Sequence, residues 1–150
     1  MPLSRRLFIT RIASIASAIA LLPSALLASW PKSAFITTER QQVLTELFGE
    51  QLIEPSELIQ IQLDKRVESG DRVTIEVSTS LEKVESISLL LDNNPHPLAA
   101  NIRFEEIATP FLATRLRLHG SSEITAIIKT ADGLYSHQKS IRVLVSGCSL

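Results

Sequence analysis

Short segments in which apolar and polar residues alternate recur along this chain at intervals of about ten residues. Val73, Ile75 and Val77, for example, alternate with arginine, threonine and glutamate. Turn-forming residues separate the segments, and Asp132-Gly133 matches a tight hairpin turn. The pattern predicts an all-β fold, an immunoglobulin-like β-sandwich of about seven strands. The predicted strands are residues 58–63, 72–77, 86–91, 102–104, 112–118, 123–130 and 134–145.

A short amphipathic helix is predicted ahead of the strands, within a domain that we expect to cover residues 37–145. The apolar side chains between positions 43 and 48 fall on one face at helical spacing, and Gly49 suits the end of the helix. Residues 37–40 are expected to open it, because threonine can cap free backbone N–H groups and an acid suits the first turn. Residues 29–36 contain a proline and show no periodicity, which predicts a linker.

Residues 1–28 have the composition of an export signal. Three arginines but no acidic residue lie there, and an apolar run starts at Ile12 and continues past Pro23 to Ala28. A membrane span needs about 20 apolar residues, and the uninterrupted run is shorter, so we expect no stable membrane association after processing. Arg5 and Arg6, in the stretch Ser-Arg-Arg-Leu-Phe-Ile, resemble the twin-arginine signal, which predicts a periplasmic protein.

Composition excludes several classes of function. Hydrophobic residues make up 45% of the chain and charged residues 21%, which is a globular balance. Removal of the signal, with its three arginines, changes the formal net charge from −1 to about −4. The mature chain has no basic patch dense enough for nucleic acid. One cysteine excludes an internal disulfide, and the Cys–Trp–Cys pattern of true immunoglobulin domains is absent.

The single cysteine, Cys148, lies two residues from the last residue of the sequence. It follows a predicted strand and is surrounded by Ser146, Gly147 and Ser149, with Leu150 at the end. Chain ends are rarely packed, so one interpretation is a reactive thiol on a short mobile arm formed by residues 146–150. The other is an unpaired cysteine without a role. In an exported protein a lone cysteine also suggests a disulfide between two molecules.

The sequence contains few residue patterns that are typical of catalytic or metal sites. The three histidines have no metal-binding spacing and are expected to be surface residues, with one of them on an exposed strand face; they are His96, His119 and His137. Glu105 and Glu106 would point to opposite faces of a strand, so they do not form a dyad. Arg115 and Arg117 share one strand face and form either a solvated surface or a site for an anion or a partner. Leu134-Tyr135 beside the hairpin is either an interface or simply the flank of the turn. We expect no metal and no cofactor.

With these residues in hand, the chain resembles the SoxY family, the sulfur-carrying subunits of the periplasmic thiosulfate-oxidising system. The resemblance covers nearly the whole chain. It is carried by the twin-arginine leader, the helix end Leu47-Phe48-Gly49, the strand 71–77, the loop 92–97, the segments 114–118 and 129–133, and the valine-rich strand into Gly147-Cys148.

The resemblance implies a non-enzymatic carrier with an immunoglobulin-like fold. It implies that the protein pairs with a SoxZ-like β-sandwich subunit. It also implies that the protein presents its sulfur to thiosulfate-oxidising enzymes, which include c-type cytochrome components. Cys148 would be the covalent attachment site for sulfur intermediates. The family's arm reads Gly-Gly-Cys-Gly-Gly, and here Ser146, Ser149 and Leu150 replace three of its glycines. The alternative is a non-catalytic binding or assembly module whose cysteine forms an intermolecular disulfide.

Overall fold

The structure, a computed structural model, describes residues 31–64, 66–68, 72–105 and 107–144. In these ranges the chain forms two helices, α1 (Lys32–Ile36) and α2 (Arg40–Phe48), and nine strands. The strands are β1 (Ile53–Pro55), β2 (Ile59–Gln62), β3 (Arg66–Val67), β4 (Val73–Thr79), β5 (Val84–Leu91), β6 (Leu98–Arg103), β7 (Phe111–Leu116), β8 (Ser122–Thr130) and β9 (Leu134–Val143).

The strands form two sheets, which confirms the predicted β-sandwich. The larger sheet has the order β1-β9-β8-β5-β6, with β3 also paired to β9, and the smaller sheet has the order β2-β4-β7. All seven predicted strands are present. The two additional strands, β1 and β3, both pair with β9 in parallel. They have three and two residues, too few for an alternating pattern to predict them.

The main hydrophobic core lies between the two sheets. Ile75 and Val77 of the small sheet pack there with Ile87, Leu89 and Ile128 of the large sheet, and all five are fully buried. Every second residue of β4 therefore points inward, as the alternation predicts. The register of this strand is confirmed.

The helices cover the other face of the large sheet. Val43 and Phe48 of α2 pack with Leu90, Ile127 and Leu134 in a second cluster. The prediction that this amphipathic helix packs on the sandwich is confirmed. Strands β5 and β8 are consequently buried on both faces along much of their length, and the buried polar residues Ser86, Ser88 and Thr125 accompany Leu90 and Ile127 on the side that the helices cover.

Two local predictions near the helices need correction. Residues 32–36, predicted to lie in a linker, form α1, whose Ala34 is fully buried in the second cluster. Packing against the sheet stabilises this turn although its sequence shows no helical period. Helix α2 begins at Arg40, and its N-cap residue Glu39 makes no side-chain cap hydrogen bond. Gly49 ends the helix with a φ of 68°, a conformation that favours glycine.

The predicted hairpin at Asp132-Gly133 is present between β8 and β9. The backbone N–H of Thr130 donates to the carbonyl of Gly133 at 2.9 Å. The Thr130 hydroxyl accepts hydrogen bonds from the N–H groups of Asp132 and Gly133, at 3.2 and 3.1 Å. This turn aligns β9 with β8 from Leu134 to Ile141, and the last two residues of β9 pair with β3. Among the described residues no helix is long and apolar enough to cross a membrane.

Candidate functional site at the end of strand β9

The predicted site residues lie outside the residues that the structure describes. These residues are Cys148, the arm residues Ser146, Gly147, Ser149 and Leu150, and the export-signal residues Arg5 and Arg6. Their roles remain predictions. The structure does describe the chain up to Leu144, and therefore the part of the sandwich from which the cysteine-bearing segment continues.

The end of β9 is held by two neighbouring parts of the chain. The N–H of Val143 donates to the Ser121 hydroxyl at 3.0 Å, and the N–H of Leu144 donates to the carbonyl of Val67 at 2.8 Å. Val67 and Val143 are paired in register, and both pack against the main core. Backbone hydrogen bonds and apolar burial therefore fix the chain four residues before Cys148.

The loops around this end of the sandwich are held by asparagine side chains. Asn93 donates to the carbonyl of Ser121 at 3.2 Å, and Asn94 donates to the carbonyl of Arg117 at 2.9 Å. A Cβ atom at Gly120 would lie 2.8 Å from the Asn93 amide nitrogen, so a larger residue there would require this side chain to shift. The loop from Asp92 to Pro97, predicted from its prolines, is confirmed: it connects β5 to β6, and the N–H of Asn93 in it donates to the Ser122 hydroxyl of β8 at 3.2 Å.

A groove of about 1070 Å³ lies beside the end of β9. Charged and hydroxyl side chains dominate it, and the residues that line it are Arg66, Asp92, Asn93, Ser121, Ser122, Glu123, Gln138, Lys139, Ser140, Ile141 and Arg142. Ser121 belongs both to this lining and to the contact that fixes Val143. The groove and the base of the predicted arm are therefore adjacent.

Two of the charged groups in this region are already engaged. Arg40 of α2 forms an ion pair with Asp92 and donates to the Thr125 hydroxyl at 2.9 Å. Lys139 donates from its ammonium group to the carbonyl of Ile61 at 2.6 Å, which joins the large sheet to the edge strand of the small sheet. These three contacts stabilise the walls of the groove.

Two arginines of the groove are placed side by side by a strand that the sequence pattern does not predict. Arg66 of β3 pairs in register with Arg142 of β9. Both side chains are exposed, and both line the groove. Sequence reasoning missed them because they are 76 positions apart (142 minus 66) and only the parallel pairing brings them together. The residue pair Arg-Val occurs at both positions, but it also occurs at Arg72-Val73, so it could not have indicated them.

The other candidates from the sequence do not converge on one place. His96 and His119 are exposed, as predicted. His96 lies in the loop from Asp92 to Pro97, and the N–H of His119 donates to the Asn94 side chain of the same loop. His137 is partly buried on the face of β9 that carries Ile141, so its predicted exposed position is wrong. Strand β9 packs that face against the small sheet. Among the described residues, no group of three or more histidine, cysteine, aspartate or glutamate side chains could hold a metal ion.

Arg115 is exposed on β7, and Arg117 follows this strand on the same side. Glu105 lies after the end of β6 rather than within a strand, and Glu106 is outside the described residues. Leu134 is buried under the helices, whereas Tyr135 packs against the main core. Leu134-Tyr135 is therefore part of the hydrophobic cores, and its apolar groups are not an exposed interface.

Known structures show the same architecture. The sulfur carrier protein SoxY from Chlorobium limicola f. thiosulfatophilum superposes with a TM-score of 0.66 at 24% identity, covering 77% of this chain and all of that one. A superoxide reductase (neelaredoxin) from Ignicoccus hospitalis superposes with a TM-score of 0.56 at 21% identity, covering 64% of this chain and 98% of that one. Likeness at this level of identity shows the fold alone.

The comparison with curated proteins gave no match. A family model described as "Sulfur oxidation protein SoxY" matches residues 44–148, from within helix α2 to the cysteine. This match covers most of the chain, including every described strand and the segment that continues from β9. The chain therefore belongs to the SoxY family of sulfur oxidation proteins.

Proposed function

We propose that this protein is a periplasmic sulfur carrier that holds sulfur-oxidation intermediates covalently on Cys148 and presents them to partner enzymes. The observation that carries the proposal is the family match, which extends through residue 148, the position of the only cysteine. The SoxY from C. limicola, which shares the fold, is described as a sulfur carrier protein. The fixed end of β9 gives the cysteine a defined base on the sandwich.

The distance from that base limits how far the sulfur can travel. Leu144, the last described residue, has a backbone hydrogen bond to β3, and Cys148 follows four residues later. A fully extended chain spans at most about 3.6 Å per residue, so the Cys148 backbone stays within about 14 Å of Leu144. A partner enzyme must therefore dock close to this end of the sandwich to reach the thiol.

The chemistry of loading follows from the thiol. Joining the Cys148 thiol to the outer sulfur of thiosulfate forms a sulfur–sulfur bond and releases the thiol proton and two electrons. A c-type cytochrome component of a partner enzyme would accept these electrons. The thiolate is the competent form, and an exposed cysteine is partly ionised near neutral pH. In this proposal the carrier supplies the attachment atom, and the partner enzymes perform catalysis.

The proposal includes a stable partner and an export route. A SoxZ-like β-sandwich subunit would form the heterodimer, with the contact on the sandwich rather than on the arm. Arg5 and Arg6 would direct the precursor to the twin-arginine route, which carries folded cargo to the periplasm. Neither a metal nor a cofactor is part of the proposed function.

The test is an intact-mass measurement of protein isolated from the periplasm of cells grown on thiosulfate. We expect additional mass in steps of one sulfur atom or of a thiosulfate-derived group, and loss of that mass after reduction. The Cys148→Ser variant, isolated in parallel, should carry none. An unmodified thiol, or only a disulfide-linked dimer, would contradict the carrier and support the assembly module. Full loading of the variant would place the attachment site elsewhere.

A further inference from the structure

Arg66 and Arg142 form a pair of like charges on adjacent strands. Their Cα positions are paired in register between β3 and β9, and neighbouring strands lie about 4.8 Å apart. The next pair in the same register, Val67 and Val143, packs against the core. Side chains alternate along a strand, so both arginines lie on the opposite side, towards the groove. Like charges directly opposite each other are destabilising.

No ion pair joins either arginine to an acidic group among the residues that the structure describes. Asp92 lines the same groove, but Arg40 is its ion-pair partner. Glu123 also lines the groove, and no ion pair joins it to either arginine within the described residues. Lys139 adds a third cation to the lining, although its ammonium group is engaged by the carbonyl of Ile61. Two guanidinium groups that form no ion pair with any described residue thus share one groove on a chain whose formal net charge is negative.

We propose that Arg66 and Arg142 form a binding site for a sulfur oxyanion, a sulfate, thiosulfate or sulfonate group. Each guanidinium presents several N–H donors in a planar fork that suits two oxygen atoms of such a group. An anion between the two forks removes their mutual repulsion. The hydroxyls of Ser121 and Ser140 in the same lining supply further donors.

The position of this site connects it to the proposed carrier function, on which its biological role rests. Arg142 is two residues before Leu144, the residue whose N–H is bound by Val67 next to Arg66. The extended chain from Leu144 to Cys148 spans at most about 14 Å. The site can therefore receive either a free oxyanion from solution or the anionic end of a group attached to Cys148.

The first experiment measures binding of free oxyanion without any sulfur loading. Sodium sulfate is titrated calorimetrically into the Cys148→Ser protein, with sodium chloride adjusted to keep the ionic strength constant. We expect saturable binding at one site per chain. In the Arg66→Gln/Arg142→Gln variant of the same protein the affinity should fall by at least about tenfold, because two charge-assisted interactions are lost. Arg115→Gln, an exposed arginine on the small sheet, is the matched control and should bind as its parent does.

A stability measurement separates binding from a structural role of the arginines. At low ionic strength without sulfate, Arg142→Gln alone should melt at or above the temperature of its parent, because the repulsion is removed. Sulfate should raise the melting temperature of the parent more than chloride at equal ionic strength, and this difference should disappear in Arg142→Gln. Destabilisation of Arg142→Gln, or equal effects of sulfate and chloride, would overturn the proposal.

A second titration determines whether the site is occupied by free oxyanion or by the group attached to Cys148. Wild-type protein loaded with a thiosulfate-derived group is titrated with sulfate in the same way. Weaker sulfate binding by the loaded protein than by its reduced form means that the tethered group occupies the groove; equal binding means that the site takes free oxyanion. Both results support the site, whereas absence of saturable binding in the Cys148→Ser protein refutes it. That result would leave the carrier function intact, because loading is measured separately.

Discussion

Leu144 donates its backbone N–H to the carbonyl of Val67 at 2.8 Å, and this bond joins the last described residue of the chain to the short strand β3. It lies four residues before Cys148. The described strands of the sandwich thus end before the proposed attachment residue. This separation is the basis of the first prediction.

Cys148→Ser should leave the melting temperature within about two degrees of the parent, because substitutions away from packed features usually change stability by about 0.5 kcal/mol or less. Association with a SoxZ-like subunit should also survive, since the proposed contact is on the sandwich. Thermal melts and analytical gel filtration of the co-expressed pair measure the two quantities. A large loss of stability would mean that the cysteine is packed and structural.

Ile75→Asp should unfold the domain or destabilise it severely. Ile75 is fully buried between the sheets, and an unpaired carboxylate there costs several kcal/mol, more than the roughly 1 kcal/mol of an average substitution. Thr74→Asp is the matched control, because Thr74 is exposed on the same strand and lies opposite Arg115. Its free energy of unfolding, measured in urea, should stay within about 0.5 kcal/mol of the parent. Equal effects of the two substitutions would contradict the register of β4.

Lys139→Met should lower the free energy of unfolding by about 1.5–3 kcal/mol, because a charge-assisted hydrogen bond to the carbonyl of Ile61 is lost. Methionine keeps a similar length without the donor. The control is Lys129→Met, which removes a half-exposed ion pair with Glu85 and should cost at most about 1 kcal/mol. Urea unfolding of both variants measures the difference, and a cost for Lys139→Met no larger than that of the control would count against the bridge between the sheets.

Arg5→Lys combined with Arg6→Lys should retain the precursor in the cytoplasm, because the adjacent arginines are the address that the export machinery recognises. Immunoblots of the cytoplasmic and periplasmic fractions measure the distribution. Lys32→Arg, which lies in α1 beyond the signal, is a control that should leave export unchanged. Mature-sized periplasmic protein at normal levels in the double variant would refute the twin-arginine assignment.

Ser149→Gly combined with Leu150→Gly restores the family's two glycines after the cysteine. Glycine has no side chain and adopts positive φ values readily, so it enters a narrow channel more easily than leucine. Turnover by thiosulfate-oxidising partner enzymes should be maintained or increased, with the melting temperature unchanged. A decrease in turnover at full sulfur loading would show that the native residues are adapted to the partners of this protein.

The sequence by itself determined the class of fold, because strand alternation and hairpin chemistry are local properties. Ile75 and Val77 lie inward as their spacing predicts, and Asp132-Gly133 forms the predicted turn. The face of α2 that packs on the sheet was predictable for the same reason. The lone cysteine, and with it the proposed attachment site, was also evident from the sequence alone.

Only the tertiary structure decided which distant residues meet at the end of β9. Strand β3 has two residues and no period of its own, and it exists because β9 supplies its hydrogen-bond partners. Its parallel pairing places Arg66 beside Arg142, a relationship that depends on the topology of the sheet and not on the local sequence. Helix α1 likewise forms because the large sheet buries Ala34. Such long-range contacts offset the entropy of ordering segments too short to be stable alone.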